Sequence, residues 1–304
     1  MNFFQSIAKR IWGAPLPPFK ERYYNSTDGL NLYYRDYPRP SGRTPILCIP
    51  GLTRNSRDFD FIASHMAATR RVIVADLRGR GKSEYAKDPR HYTVAIEAAD
   101  MIRLLDNAQI EKTIVLGTSR GGIVAMTMAA TRPDTLKGVI LNDIGGELEA
   151  LGLSRIWEFI GREPPMNSWA AATAALRQNC EAIFPNVDNS QWVAFARALY
   201  REEDGRIVPD YDPRLGDAVR QNVPTISPDG PRVPLWSLFS ALARVPALVL
   251  RGENSDLLSA DTLQKMHSVK RDLRSMTIKQ RGHAPFLNET EAVAAIDGFL
   301  SEIS

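Results

Sequence analysis

The chain has 304 residues, 44% hydrophobic and 24% charged, with 38 basic residues against 35 acidic ones for a net charge of +3. That balance excludes a disordered chain and allows a large buried core. The two signs of charge are well mixed, and no polybasic stripe with interleaved aromatics appears, which argues against nucleic-acid binding. Two widely separated cysteines form neither a disulfide framework nor a metal site and fit a reducing cytoplasm. There is no metal cluster and no dinucleotide G-x-G-x-x-G, so no cofactor is expected.

The chain starts with Phe3, Ile7 and Ile11 on one helical face, which suggests a short helix packed on the body. It lacks the long apolar stretch of a signal peptide, and no later run is long enough to span a membrane. Strands are expected at Arg22–Asn25 and Leu30–Tyr37 around the turn Thr27-Asp28-Gly29, then at Ile46–Ile49 and Val72–Ala75. Further strands follow at Thr113–Leu116, Val139–Leu141, Ala247–Arg251 and Met276–Lys279. Helical patterns separate the later strands, including Thr93–Asn107 and Glu289–Ile303. This alternation predicts an α/β fold, with a mostly parallel eight-stranded sheet, helices on both faces and an antiparallel hairpin at one edge. The regularity stops over residues 145–234, where aromatic-rich helical pieces and a polar, Pro-rich segment show no obvious strand. The expected organisation is a core of residues 1–144 and 235–304 with 145–234 inserted between the sixth and seventh main strands.

Chemistry concentrates at Gly117-Thr118-Ser119-Arg120-Gly121. This G-x-S-x-G run follows a β-branched strand and precedes the apolar helix pattern of Gly122–Ala130. Glycines two residues either side of Ser119 allow a sharp strand-to-helix turn that lifts the hydroxyl above the sheet, at the positive end of the helix dipole. A serine alcohol needs a base. Of the four histidines, His65 and His267 lie in amphipathic helical stretches and His91 in a polar loop. His283 alone stands in a Gly- and Pro-bounded loop, Gly282-His283-Ala284-Pro285, directly after a strand, and is the expected base.

A carboxylate must hold the histidine tautomer. Asp256, after the strand Ala247–Arg251, and Asp143, after the strand Val139–Leu141, both lie at carboxyl strand ends, and both preserve the order Ser, Asp, His. Asp256 is preferred because Glu253, Asn254 and Ser255 can surround a carboxylate with donors. Asp143 is the alternative acid, with Asn142 beside it read as a loop anchor. Glu253 is a third choice, or a residue that holds its own loop.

These segments, together with Ile49-Pro50-Gly51-Leu52 and Asp76-Leu77-Arg78-Gly79-Arg80-Gly81-Lys82-Ser83, resemble the α/β-hydrolase superfamily over nearly the whole chain. The resemblance implies an α/β-hydrolase fold in which the insertion 145–234 is a helical cap over Ser119. It also implies an oxyanion hole formed by the backbone N–H groups of Leu52 and Arg120, and it makes the Arg-Gly-Arg-Gly segment a structural turn. A serine nucleophile suits acyl transfer. The expected function is therefore hydrolysis of a small-molecule carboxylic ester or lactone, in the manner of bacterial esterases and enol-lactonases. The alternatives are a C–C bond hydrolase of ring-cleavage dienones and a non-enzymatic small-molecule receptor on the same scaffold.

Overall fold

Strand residues alternate between the two faces of a sheet, and in the computed structural model that alternation divides the core in two. The structure describes residues 18–222 and 227–303; the expected helix around Phe3, Ile7 and Ile11 lies outside them. Among the described residues twelve strands occur in chain order: β1 (Lys20–Asn25), β2 (Asn31–Tyr37), β3 (Ile46–Ile49), β4 (Val72–Ala75), β5 (Thr113–Thr118), β6 (Leu136–Asn142), β7 (Glu147–Leu148), β8 (Tyr200–Glu203), β9 (Arg206–Pro209), β10 (Val233–Pro234), β11 (Ala247–Gly252) and β12 (Arg274–Ile278). Eight of them form one sheet in the order β1-β2-β4-β3-β5-β6-β11-β12. The β1–β2 and β2–β4 pairs are antiparallel, and the pairs from β4–β3 to β11–β12 are parallel.

Leu47, Ile73, Val115, Val139 and Val249 point to one face, where the helices Val94–Asn107, Arg120–Thr131 and Ala260–Val269 pack. Ile46, Cys48, Val74, Leu116, Ile140 and Leu250 point to the other, under the helices Asp60–Ala67 and Thr290–Glu302. Both faces of the central strands are covered, which is why β3, β4 and the Val139-Ile140-Leu141 part of β6 read as continuous apolar runs. The strand order reverses between β3 and β5. A crevice opens at their carboxyl ends, the place where open α/β sheets build ligand sites.

Between β6 and β11 the chain leaves the sheet and forms helices Ala150–Phe159, Trp169–Cys180, Asn189–Leu199 and Leu215–Asn222. Phe184, Trp192 and Leu199 belong to a separate apolar cluster there. The expectation of no strand in this segment is corrected. β8 and β9 form a hairpin, and β7 pairs with β10. Asp204 and Gly205, both at positive φ (48° and 74°), make the hairpin turn. Asp-Gly is the residue pair a type I′ turn requires, but short strands rich in Arg and Glu hide the period-2 pattern.

Glu147 anchors the start of this segment. It accepts hydrogen bonds from Lys265 Nζ (2.8 Å), Arg232 Nη1 (3.0 Å), Thr262 Oγ1 (3.1 Å) and Trp236 Nε1 (3.2 Å). Burial alone would raise its pKa, but these donors outweigh it and bring the carboxyl from 4.5 down to about 2. A depressed carboxylate contributes stability that is present above its unfolded pKa and lost as pH falls through the folded one. Glu147→Gln is therefore expected to cost on the order of 2 kcal/mol at neutral pH in urea unfolding. The gap to the wild type should close between pH 4.5 and about 2.

Candidate active site

Ser119 sits at the strand-to-helix corner after β5, and its backbone takes φ 52°, ψ −118°. A non-glycine residue at positive φ carries strain that only its surroundings can hold in place. Here the surroundings leave no freedom. A Cβ at Gly121 would lie 2.1 Å from the Ile49 carbonyl oxygen, and one at Gly117 would lie 2.4 Å from the Gly121 oxygen. The corner therefore closes only with glycine at both positions. It also places the helix start against the end of β3, where a Cβ on Gly51 would be 3.8 Å from Ser119 Cβ. The Gly51-Leu52 loop and the Ser119-Arg120 corner thus meet in the crevice between β3 and β5.

His283 comes from the loop after β12. Its Nε2 lies 2.8 Å from Ser119 Oγ and its Nδ1 2.7 Å from Asp143 Oδ2. Asp143 follows β6, is fully buried, and has φ 58°. Besides the imidazole it accepts from the Gly252 amide (2.7 Å) and from Ser255 Oγ (2.6 Å). Neighbouring Asn142 donates to the Pro285 carbonyl (3.0 Å) and to Thr118 Oγ1 (3.1 Å), tying the histidine loop to the serine strand.

The preference for Asp256 as the partner of His283 is corrected by this geometry. Asp256 forms an ion pair with Arg155 (2.8 Å), and its backbone oxygen accepts from the Gly152 amide (3.0 Å). It lies where the loop after β11 turns toward the helix Ala150–Phe159. The donors expected around a carboxylate in that loop are present, but Gly252 and Ser255 turn them back onto Asp143. Glu253 holds its own loop by accepting from the Gln280 amide (2.9 Å). The other three histidines lie elsewhere: His65 on Asp297, His91 on Asp28 and His267 on Ser275.

Ser119 and His283 open into a cavity of about 370 Å³, within the range of sites for small molecules. Its far wall comes from the segment between β6 and β11, through Ile156, Leu176, Phe195 and Leu199. Phe286, three residues past His283, packs 5.1 Å from Phe195 edge to face. Five charged side chains, Arg54, Arg57, Asp58, Asp60 and Glu163, interrupt this apolar lining. Arg54 lies over the Phe195 ring and holds Asp58. Glu163 accepts from Tyr200 and Tyr211, and burial pushes its carboxyl up. No cluster of metal-ligating side chains occurs among the described residues, and no described helix is long and apolar enough to cross a membrane.

Residues 46–296 match the model of the Alpha/beta hydrolase family. The chain belongs to that family. The hydrolase is 30% identical to the 3-hydroxybutyrate-oligomer hydrolase of Cupriavidus necator, over 91% of this chain and 95% of that protein. Among solved structures it resembles an alpha/beta hydrolase from Novosphingobium aromaticivorans, with 40% identity, a TM-score of 0.86, and coverage of 93% and 98% of the two chains. A putative hydrolase from Rickettsia typhi is 27% identical, with a TM-score of 0.82 over 94% of this chain and all of that one.

Several residues of the hydrolase that shape the site gave no separate signal in the sequence. Glu163 stands in no motif, and Ser255, expected to donate to Asp256, donates in the folded chain to Asp143. Arg80 was part of a turn read as structural. Most of that turn is structural: Asp76 accepts from the amides of Ser56 (2.6 Å) and Lys82 (2.9 Å), and Arg78 is buried on Asp100 (2.7 Å). Arg80 instead reaches out of the turn toward the site.

Proposed function

We propose that the hydrolase cleaves a small carboxylic ester or lactone through an acyl-enzyme on Ser119, with His283 as base and Asp143 as acid. The observation that carries this reading is the unbroken relay from Asp143 through His283 to Ser119 on the cavity floor. Asp143 accepts the Nδ1 hydrogen, which leaves Nε2 free to take the proton of Ser119 as Oγ attacks the carbonyl carbon. The carbonyl electron pair moves onto oxygen, and the N–H groups of Leu52 and Arg120 hold that charge. Each donor contributes on the order of 3 kcal/mol, because it meets full charge only in the transition state. His283 then gives its proton to the leaving alcohol. Water, deprotonated by His283, attacks the acyl carbon and releases the acid, and Ser119 regains its proton.

The segment 145–234 acts in this reading as the cap, since its side chains form the far wall. The apolar wall suits a short acyl chain. Relationship to a 3-hydroxybutyrate-oligomer hydrolase makes short oligoesters of hydroxy acids the first substrates to try. Short p-nitrophenyl esters should give a burst of p-nitrophenol followed by steady turnover. A panel of hydroxybutyrate dimers and trimers, lactones and ring-cleavage dienones should then show the highest kcat/KM on an ester or lactone. Turnover of the dienones alone would move the assignment to C–C hydrolysis, and binding without turnover of any of them would move it to a receptor.

A further inference from the structure

The two backbone positions assigned to the oxyanion hole are joined beneath the site by a buried charge network. Arg80 donates from Nε to the Leu52 carbonyl oxygen (2.8 Å), and from Nη1 to the Arg78 carbonyl (2.6 Å) and to Glu97 Oε1 (2.8 Å). Arg120 donates from its own Nε to Glu97 Oε2 (2.6 Å) and from Nη2 to the Tyr92 carbonyl (3.0 Å). Glu97, on the helix Val94–Asn107, thus uses one oxygen for each arginine, and neither Glu97 nor Arg80 has any exposed side-chain surface.

Burying three charges is a poor route to stability, because desolvation offsets most of the attraction and apolar packing would serve as well. What the network supplies is geometry and field. A planar carboxylate bridging two guanidinium forks fixes both in one arrangement. Two guanidiniums against one carboxylate leave a net positive charge, and Arg80 Nη2 is buried without a hydrogen-bond partner. That surplus lies beneath the Leu52 loop and the first turn after Ser119, with Arg80 and Glu97 shielded from water and Arg120 largely so.

We propose that Glu97 is a positioning residue for the oxyanion hole: through Arg80 it fixes the Leu52 loop, through Arg120 it fixes the first turn after Ser119, and so it sets the spacing of the two N–H donors. This inference rests on the serine-hydrolase reading above. It also gives the Arg80 and Arg120 side chains a task in transition-state stabilisation, although neither touches the substrate.

The test compares wild type, Glu97→Gln and Arg120→Lys on one p-nitrophenyl ester, with rates normalised to sites labelled by a fluorophosphonate at Ser119. Each protein is also titrated with a trifluoromethyl ketone. Ser119 Oγ adds to this ketone, its proton passes to His283, and the carbonyl pair becomes an oxyanion in the hole. Misplacing a donor costs less than deleting one, so kcat should fall roughly 10- to 100-fold in Glu97→Gln, with KM within about twofold. Affinity for the ketone should fall in parallel, and inhibition by the product acid should not change. Arg120→Lys keeps the charge but cannot reach both Glu97 and the Tyr92 carbonyl; it should show the same signature at roughly tenfold, and it decides the matter if Glu97→Gln does not fold. Unchanged ketone affinity in labelled variants, or a matching loss of product binding, overturns the proposal. Failure of the fluorophosphonate to label Ser119 in the wild type overturns the serine reading itself.

Discussion

Ser119→Ala is expected to remove nearly all ester turnover, a fall on the order of 10⁶ in kcat, as when subtilisin loses its nucleophile. The reason is local. Ser119 Oγ is the atom held 2.8 Å from His283 Nε2, and among the described residues no other hydroxyl is hydrogen-bonded to that nitrogen. Folding should be retained, because alanine bears the positive φ at this corner no worse than serine does. Substrate binding should be retained as well, because the cavity wall is untouched. Steady-state kinetics, a thermal melt and binding of a non-hydrolysable substrate analogue check the three parts separately. Since serine and histidine act as one unit, combining Ser119→Ala with His283→Ala should cost no more than either change alone. Residual turnover near the wild-type rate in Ser119→Ala would remove the proposed mechanism.

The second large effect separates the two carboxylates. Asp143→Asn should lower kcat by on the order of 10⁴, because the amide offers its N–H₂ to Nδ1 and stabilises the tautomer that cannot accept the serine proton. Asp143 is also fully buried and accepts from Gly252, Ser255 and His283. Turning one acceptor into a donor there should therefore cost about 1–3 kcal/mol of stability as well. Rates must then be expressed per active site titrated with a fluorophosphonate. Asp256→Asn should reduce kcat by no more than about tenfold, since it loses only the ion pair to Arg155. The opposite ranking would return the acid role to Asp256 and leave the nucleophile and the base in place.

Most of the fold was legible from local pattern. The central strands of the main sheet fell where β-branched and apolar residues run together, because a strand covered on both faces has no need of polar residues. The serine corner was legible for a steric reason: Gly117 and Gly121 occupy positions where a Cβ would overlap the backbone, so the glycine spacing records the turn itself. His283 was legible by elimination, since the other histidines stand in helical or polar stretches and now pair with Asp297, Asp28 and Ser275.

The acid was not legible, and the residues show why. Asp143 and Asp256 both follow apolar strands that pair side by side, β6 with β11, so chain order and strand position could not rank them. The loop rich in donors did mark a carboxylate site, but a loop donates to whichever carboxylate lies across from it, and Gly252 and Ser255 lie across from Asp143. The β8–β9 hairpin escaped for a different reason. Its Asp204-Gly205 pair suits a tight turn, but its short charged strands each bury a single side chain and leave little periodicity to read.

The sequence by itself determined the family, the parallel sheet, the corner at Ser119 and the histidine loop, because each depends on residues adjacent in the chain or on the repeat of one strand or helix. Only the tertiary structure decided which carboxylate faces His283, what lines the cavity, and that Glu97 joins Arg80 to Arg120. Those contacts join residues far apart in the chain, 140 positions in the case of Asp143 and His283. They are set by how neighbouring strands and helices pack, and no local pattern encodes that packing.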